Sequence, residues 1–162
     1  MTDRKTLTLT INDCQRSIEA PSNETLLETL RRIGAVEVKS GCEKGDCGAC
    51  AVLLDDMAVD SCLTLARSAE GREITTLQGL GTPEAPHPLQ QSFSELGAAQ
   101  CGYCTPGMII ASESLLRKNP SPTDEDVRIA LSGNLCRCTG YVKIFEAVHA
   151  AAAVKRQTGE TK

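Results

Sequence analysis

Cysteine is the residue type that most constrains this chain. Nine cysteines occur in 162 residues, and eight of them form two groups with regular spacing. The first group has the spacing C-x4-C-x2-C-x11-C, and the second has C-x2-C followed, after 31 residues, by C-x-C. The amino-terminal segment has neither a signal-peptide hydrophobic stretch nor a twin arginine, so we expect a cytoplasmic protein with reduced thiols. Dense cysteine then indicates metal or redox chemistry rather than disulfides. The groups are Cys42, Cys47, Cys50 and Cys62, and Cys101, Cys104, Cys136 and Cys138.

The spacing of the first group is typical of plant-type [2Fe–2S] centres. Gly41, Gly45 and Gly48 lie among these cysteines. Glycine tolerates positive φ and has no Cβ, so the loop can wrap closely and direct backbone N–H groups at the sulfurs of an anionic cluster. A tetrathiolate zinc site is the alternative, although zinc loops more often pair C-x2-C with C-x2-C.

The second group lies at predicted helix ends. Thr105 is a plausible N-cap with Pro106 as the first helical residue, so Cys101 and Cys104 immediately precede a helix. The positive end of that helix would stabilise thiolate charge. The spacing alone is compatible with either Zn²⁺ or a second [2Fe–2S] cluster.

Hydrophobic periodicity predicts an α+β chain. Alternating apolar residues over 7–11, followed by a second run over 15–19, predict a β-hairpin. A short helix is expected over 25–33, ended by Gly34, and two further strands over 51–54 and 57–60. This half is therefore predicted to be a small β-grasp arrangement.

A stretch rich in glycine and proline, residues 77–88, predicts a linker and a domain boundary near residue 80. The period beyond it is helical, and Thr123 is expected to cap an acidic first turn. We therefore expect domains at 1–79 and 80–162, the second a four-helix bundle. The predicted helices are 89–96, 106–118, 124–131 and 142–155.

Composition argues against several functions. The net charge is −4 and aromatic residues are 2% of the chain, so neither a nucleic-acid nor a membrane partner is expected. His87 and His149 are interpreted as surface or packing residues, which leaves a Rieske centre poorly supported. Cys14 is interpreted as a structural or partly exposed thiol. No catalytic triad, carboxylate pair or G-x-G-x-x-G motif stands out, so we expect no bond chemistry from this chain itself.

Three stretches together resemble the iron–sulfur subunit of the xanthine oxidase family of molybdenum hydroxylases. The resemblance covers nearly the whole chain. The further stretch 111–122 (ASESLLRKNPSP) looks most like the small subunits of bacterial three-subunit enzymes. Those enzymes include 4-hydroxybenzoyl-CoA reductase, carbon monoxide dehydrogenase and N-heterocycle dehydrogenases. The stretches are 41–50 (GCEKGDCGAC), 100–108 (QCGYCTPGM) and 134–141 (NLCRCTGY).

The resemblance implies an amino-terminal plant-type ferredoxin domain and a carboxy-terminal four-helix domain, each with one [2Fe–2S] cluster. The first cysteine group would hold the cluster that faces a flavin, and the second the cluster that faces a molybdenum pterin, close to Gln100 and Cys138. A molybdenum-pterin catalytic subunit and an FAD subunit would carry those cofactors, in a dimer of heterotrimers. The sequence departs from the usual pattern at Tyr103 (often Phe), Glu43 (often Gly) and Ala51 (often Thr).

The implied function is electron relay within a molybdenum-containing oxidoreductase. Two alternatives stay open from the sequence. A free-standing two-cluster ferredoxin would be monomeric, and a zinc-stapled interaction module would be colourless.

Overall fold

The computed structural model of the chain describes residues 3–158, so the outermost residues of the two predicted domains, 1–2 and 159–162, lie outside it. Within the described residues the fold is α+β, as predicted. The strands are β1 (Arg4–Ile11), β2 (Cys14–Pro21), β3 (Ala51–Leu54), β4 (Met57–Asp60) and β5 (Glu73–Thr75). The helices are α1 (Leu26–Arg32), α2 (Leu77–Leu80), α3 (Pro88–Glu95), α4 (Thr105–Lys118), α5 (Asp124–Ala130) and α6 (Val142–Thr158).

The strands form one sheet in the order β2-β1-β5-β3-β4. Only the β1–β5 pair is parallel, and the other neighbours are antiparallel. Both hairpins turn through two residues with positive φ, Asn12 and Asp13 in the first and Asp55 and Asp56 in the second. Two such residues make the turn whose twist matches that of the flanking strands. The two predicted hairpins are confirmed.

Helix α1 covers the amino-terminal core. Thr25 and Glu28 form a reciprocal capping box at its start, and Gly34 has a φ of +100° just beyond its end. The helix buries Leu26, Leu27 and Leu30 against the inner face of the sheet. The predicted helix is therefore confirmed.

The predicted linker is partly wrong. Residues 77–80 form the short helix α2, because Leu77 and Leu80 pack against the core of the helical half. The side-chain amide of Gln90 donates to the carbonyls of Leu77 and Gly81, at 3.3 and 3.2 Å, and ties this segment to α3. The sequence analysis also missed β5 and a 3₁₀ turn, Ala66–Ala69.

The four helices predicted beyond this segment lie where the periodicity indicated, as α3 to α6. Thr123 caps α5 as predicted, and Asp126 completes its capping box. Helix α6 packs on α3 and α5, and α4 packs on α3 and α5, around a second hydrophobic core. No helix among residues 3–158 is long and apolar enough to cross a membrane.

Strand β3 contributes to two packing layers. Val52 and Leu54 belong to the amino-terminal core, whereas Ala51 and Leu53 contact Ile110 of α4. All four strand residues are buried because the sheet is covered on one face by α1 and on the other by α4. Helix α4 thus contacts both halves of the chain.

A buried ion cluster ties α4 to α6. Glu113 is fully buried, and both of its carboxylate oxygens accept from Lys155 Nζ at 2.8 Å. Arg117 Nε donates to Glu113 at 2.9 Å, and His87 Nε2 lies 3.4 Å from it. Arg117 also pairs with Asp56 of the β3–β4 turn. Burial opposes the charge of Arg117, but Glu113 and Asp56 outweigh it and raise the guanidinium pKa.

Replacement of Glu113 by Ala leaves Lys155 buried without its carboxylate. We expect E113A to lower the free energy of unfolding by about 3–5 kcal/mol, the usual cost of breaking a buried ion pair. The control is K143A, which removes an exposed pair with Glu146 and costs at most about 1 kcal/mol. Denaturant unfolding of the purified proteins measures both. Equal losses in the two variants would contradict this role for Glu113.

Candidate metal centres

The first cysteine group converges from a loop and two strand ends. Cys42 and Cys47 lie in the loop before β3, Cys50 directly precedes β3, and Cys62 follows β4. The thiols of Cys42 and Cys47 interact, as do those of Cys50 and Cys62. The Cys50 thiol also donates to Asp60 Oδ1 at 3.7 Å. The four thiols are therefore arranged as two pairs.

Cys42 and Cys47 are the less buried pair of this group, and backbone N–H groups of the loop point at Cys42. Those of Lys44 and Asp46 lie 3.4 and 3.3 Å from Cys42 Sγ. The hydrogen bond from Lys44, with that from Cys47, lowers the pKa of Cys42 to about 7. Cys50 is buried, and burial raises its pKa to about 12. The loop thus stabilises the thiolate form of Cys42. The buried Cys50 would lose its proton only beside a cation such as an iron ion.

The second group is also arranged in pairs. Cys138 Sγ lies 3.6 Å from Cys101 Sγ, and the thiol of Cys104 donates to Cys136 Sγ. Cys101 and Cys138 are exposed, whereas Cys104 and Cys136 are half-buried. One pair of each group therefore lies nearer the surface than the other.

Thr139 supports the inner pair of this group. Its backbone N–H and hydroxyl lie 3.4 and 3.2 Å from Cys136 Sγ. Burial acts to raise the pKa of Cys136, but the hydrogen bonds from Thr139 outweigh it and lower the pKa to about 7. Burial and the contact with Cys136 raise the pKa of Cys104 to about 12. The hydrogen bond to Cys101 raises the pKa of Cys138.

The predicted cap of α4 is wrong. Cys104, in place of Thr105, is the N-cap residue, and Thr105 is already helical. The chain enters this helix with Cys104 in the αR region, so its side chain makes no capping hydrogen bond. The hydroxyl oxygen of Thr105 is buried without a hydrogen-bond partner among residues 3–158.

This donor set fits two [2Fe–2S] clusters. Each iron of such a cluster takes two cysteine sulfurs, and each group supplies two contacting pairs. The partnerless Thr105 hydroxyl beside Cys104 provides a further donor for an anionic group.

The three glycines of the first loop have different roles. Gly45 and Gly48 have positive φ, whereas Gly41 does not. A Cβ on Gly41 would lie 2.7 Å from Cys47 Sγ, so its absence makes room for that thiol. A Cβ on Gly48 would meet the carbonyl oxygen of Gly133 at 2.6 Å, so this glycine permits contact with the other half of the chain.

Of the remaining candidate residues, Gln100 adjoins the second cysteine group, and Cys14, His87 and His149 lie outside both groups. Gln100 is exposed beside Cys101. Cys14 is exposed at the first hairpin. His87 caps α3 by accepting from the N–H of Leu89, and His149 contacts Asp124 at 2.7 Å, so both fit the predicted surface or packing role.

The sequence analysis missed two polar residues that support the second group. Tyr141 accepts from the N–H of Cys136 at 2.9 Å and donates to the carbonyl of Asn134 at 3.2 Å. The side-chain amide of Asn134 donates to the carbonyl of Gly48 at 3.1 Å. Both lie at the ends of the stretch 134–141 that contains Cys136 and Cys138, and this position is the signal in the sequence that points to them.

Two family models match this chain. Residues 9–77 match the 2Fe-2S iron-sulfur cluster binding domain, and residues 76–149 match the [2Fe-2S] binding domain. The nicotinate dehydrogenase small FeS subunit of Eubacterium barkeri is 50% identical over 147 residues, which cover 90% of this chain and 94% of that protein. This chain belongs to the iron–sulfur subunits of the xanthine oxidase family.

Two further relatives agree. The xanthine dehydrogenase iron-sulfur-binding subunit of Escherichia coli O157:H7 is 46% identical over 145 residues, covering 88% of this chain and 91% of that one. A chain of quinoline 2-oxidoreductase from Pseudomonas putida 86 superposes with a TM-score of 0.91 at 42% identity, covering 97% of this chain and 98% of that chain. As an iron–sulfur subunit with two [2Fe–2S] domains, the protein has an electron-transfer role in a molybdenum hydroxylase-type oxidoreductase complex.

Proposed function

We propose that this subunit relays single electrons between a molybdenum pterin and a flavin that are carried by partner subunits. The observation that carries the proposal is the presence, in one chain, of two sets of four thiols whose loops are hydrogen-bonded to each other. When bound, a [2Fe–2S] cluster accepts and returns one electron at a time. The protein supplies ligands, burial and hydrogen bonds to sulfur, and these set the potential of each centre.

Each half of the chain is proposed to hold one cluster. Residues 1–79 would form a β-grasp plant-type ferredoxin domain, and residues 80–162 a four-helix domain. The sheet order, the four helices α3 to α6 and the meeting of the two family matches near residue 76 support this division. The proposed ligands are Cys42, Cys47, Cys50 and Cys62 for the first cluster, and Cys101, Cys104, Cys136 and Cys138 for the second.

The second cluster is proposed to face the molybdenum pterin. Cys101 and Cys138 are its exposed pair, and the exposed Gln100 directly precedes Cys101. These residues would present an amide and two iron-ligating sulfurs to a pterin held by the partner. Tyr103, Leu135 and Val142 are large apolar or aromatic residues near this edge with exposed fractions of 48%, 57% and 65%. Such exposure favours a lasting interface over a freely diffusing ferredoxin.

The first cluster is proposed to face the flavin of an FAD subunit. A surface cavity of about 380 Å³, lined in part by Cys62, Ser40 and Glu43, opens beside this group. Through this cavity the FAD subunit would approach Cys62, which is otherwise buried. We further propose that the complex is a dimer of heterotrimers. We place it in the cytoplasm, because a reducing compartment would keep the exposed thiols of Cys101 and Cys138 reduced and able to bind iron.

Metal analysis tests the ligand assignment. The wild-type chain, purified anaerobically, should contain two iron and two sulfide ions for each of its two centres and give two EPR signals after reduction. We expect C62S to lose one EPR signal and half of the iron, because serine is a poorer ligand for iron. The control C14S changes an exposed cysteine outside both groups and should keep all the iron. Stoichiometric zinc, or full iron in C62S, would overturn the assignment.

Isolation of the complex tests the partners. We expect gentle purification to yield this chain with a flavoprotein and a molybdenum-pterin protein, in equal amounts and at a mass near twice that of one heterotrimer. A fully active species with the 17.2 kDa mass of the single chain would instead support a free ferredoxin.

Rapid mixing of that complex with its substrate tests the order of transfer. In C47S, reduction of molybdenum should proceed as in the wild type while reduction of flavin slows, because only the first centre is altered. C138S should impair the second centre and the steps that follow it. Unchanged flavin reduction in a C47S complex shown to lack the first centre would refute the order.

A further inference from the structure

Three hydrogen bonds cross between the two cysteine groups, and we call this contact the loop junction. The N–H of Leu135 donates to the carbonyl of Cys47 at 3.0 Å. The side-chain amide of Asn134 donates to the carbonyl of Gly48 at 3.1 Å, and the Tyr103 hydroxyl donates to the carbonyl of Ser40. Every donor lies beside or between cysteines of the second group, and every acceptor lies in the loop that carries the first.

Asn134 is anchored on its own side of the junction. It is 7% exposed, and its N–H donates to the carbonyl of Leu131 at 2.9 Å, where α5 ends. Its carbonyl accepts from the Tyr141 hydroxyl, which in turn accepts from the N–H of Cys136. The side-chain amide that reaches Gly48 therefore extends from a backbone already fixed to the second group. Movement of Gly48 relative to Cys136 would break at least one of these bonds.

Two glycines allow the backbones to approach. A Cβ on Gly107, in the first turn of α4, would collide with the carbonyl of Gly48. A Cβ on Gly48 would collide with the carbonyl of Gly133. The halves are thus in backbone contact at the loop junction, and even one methyl group would separate them.

We propose that Asn134 is a positioning residue for electron transfer, which clamps the first cysteine loop at Gly48 and thereby sets the separation of the two clusters. The inference rests on the proposed ligation of a cluster by each group. The rate of electron tunnelling falls steeply as the distance between two centres grows. A displacement of the loops would therefore weaken the electronic coupling between the two clusters. The hydrogen bond from Leu135 to Cys47 joins a proposed iron ligand of the first cluster to the residue directly before Cys136. By binding the carbonyl of Gly48, Asn134 keeps Cys47 in position for that bond.

Three variants separate the clamp from general stability. N134A removes the amide donor and leaves the carbonyl of Gly48 without its partner. G107A inserts a methyl group from the opposite side, touches no ligand, and replaces glycine by a better helix former. Y103F is the matched control, because it removes the junction bond whose donor is 48% exposed and leaves Asn134 and Leu135 in place.

Two measurements on the iron-loaded full chain test the proposal. The first is the magnetic interaction between the two reduced centres, seen as splitting of their EPR signals at low temperature. The second is hydrogen exchange of the Leu135 amide. We expect N134A and G107A to retain iron, to lose much of the splitting and to exchange the Leu135 amide about tenfold faster, as loss of one ordinary hydrogen bond gives. Y103F should match the wild type in both.

The outcomes distinguish this inference from the function on which it rests. A wild-type chain without two clusters would refute the ligation itself. Two interacting clusters in the wild type, with splitting and Leu135 exchange unchanged in N134A and G107A, would refute only the clamp. If N134A fails to retain iron, the result for G107A decides. That variant keeps Asn134 and all eight cysteines in the sequence, and its new Cβ would collide with the carbonyl of Gly48 and lie 3.2 Å from Asn134 Nδ2.

Discussion

Four thiols have to converge twice in one small chain, and most of its irregular structure serves this requirement. The first loop turns through left-handed backbone at Glu43, Gly45 and Gly48 and then enters β3 at Ala51. The second group joins residues on either side of α4 and α5, and the chain turns back at Tyr141, which has a φ of +69°. Neither half has a core large enough to be comfortably stable alone, so a bound cluster in each half would contribute to folding as well as to function.

Helix α4 holds the two halves in one arrangement. Gly107, Ile110, Ser114 and Arg117 are spaced at three or four residues and therefore lie along one face of the helix. Gly107 meets the first cysteine loop, and Ile110 packs on β3. Ser114 Oγ donates to the carbonyl of Asp56 and accepts from the N–H of Ala58, both at 3.1 Å, and Arg117 pairs with Asp56. One helix thus contacts the amino-terminal half from its cysteine loop to the β3–β4 turn, and the buried Glu113–Lys155 pair fixes α4 to α6.

The two cysteine groups share an electrostatic arrangement. Each has an inner thiol whose pKa is raised to about 12 by burial, Cys50 or Cys104, and a thiol whose pKa is lowered to about 7, Cys42 or Cys136. The N–H donors that lower these pKa values are of the kind that tune a bound cluster. Within each group one pair is less buried than the other, so a centre would be protected on one side and accessible to a partner on the other.

The sequence by itself determined the features that depend on neighbouring residues. The spacing of the cysteines indicated the centres, because this signal acts over a few residues. Alternation placed the first hairpin, two short runs around a tight turn placed β3 and β4, and helical periodicity with the Thr123 cap placed α3 to α6. Short elements such as α2 and β5 were missed, since only packing against distant residues stabilises them. Tertiary structure alone decided which thiols form pairs and how Asn134 reaches Gly48, 86 positions away. Each of these depends on contacts between segments that are far apart in the chain and become neighbours only in the fold.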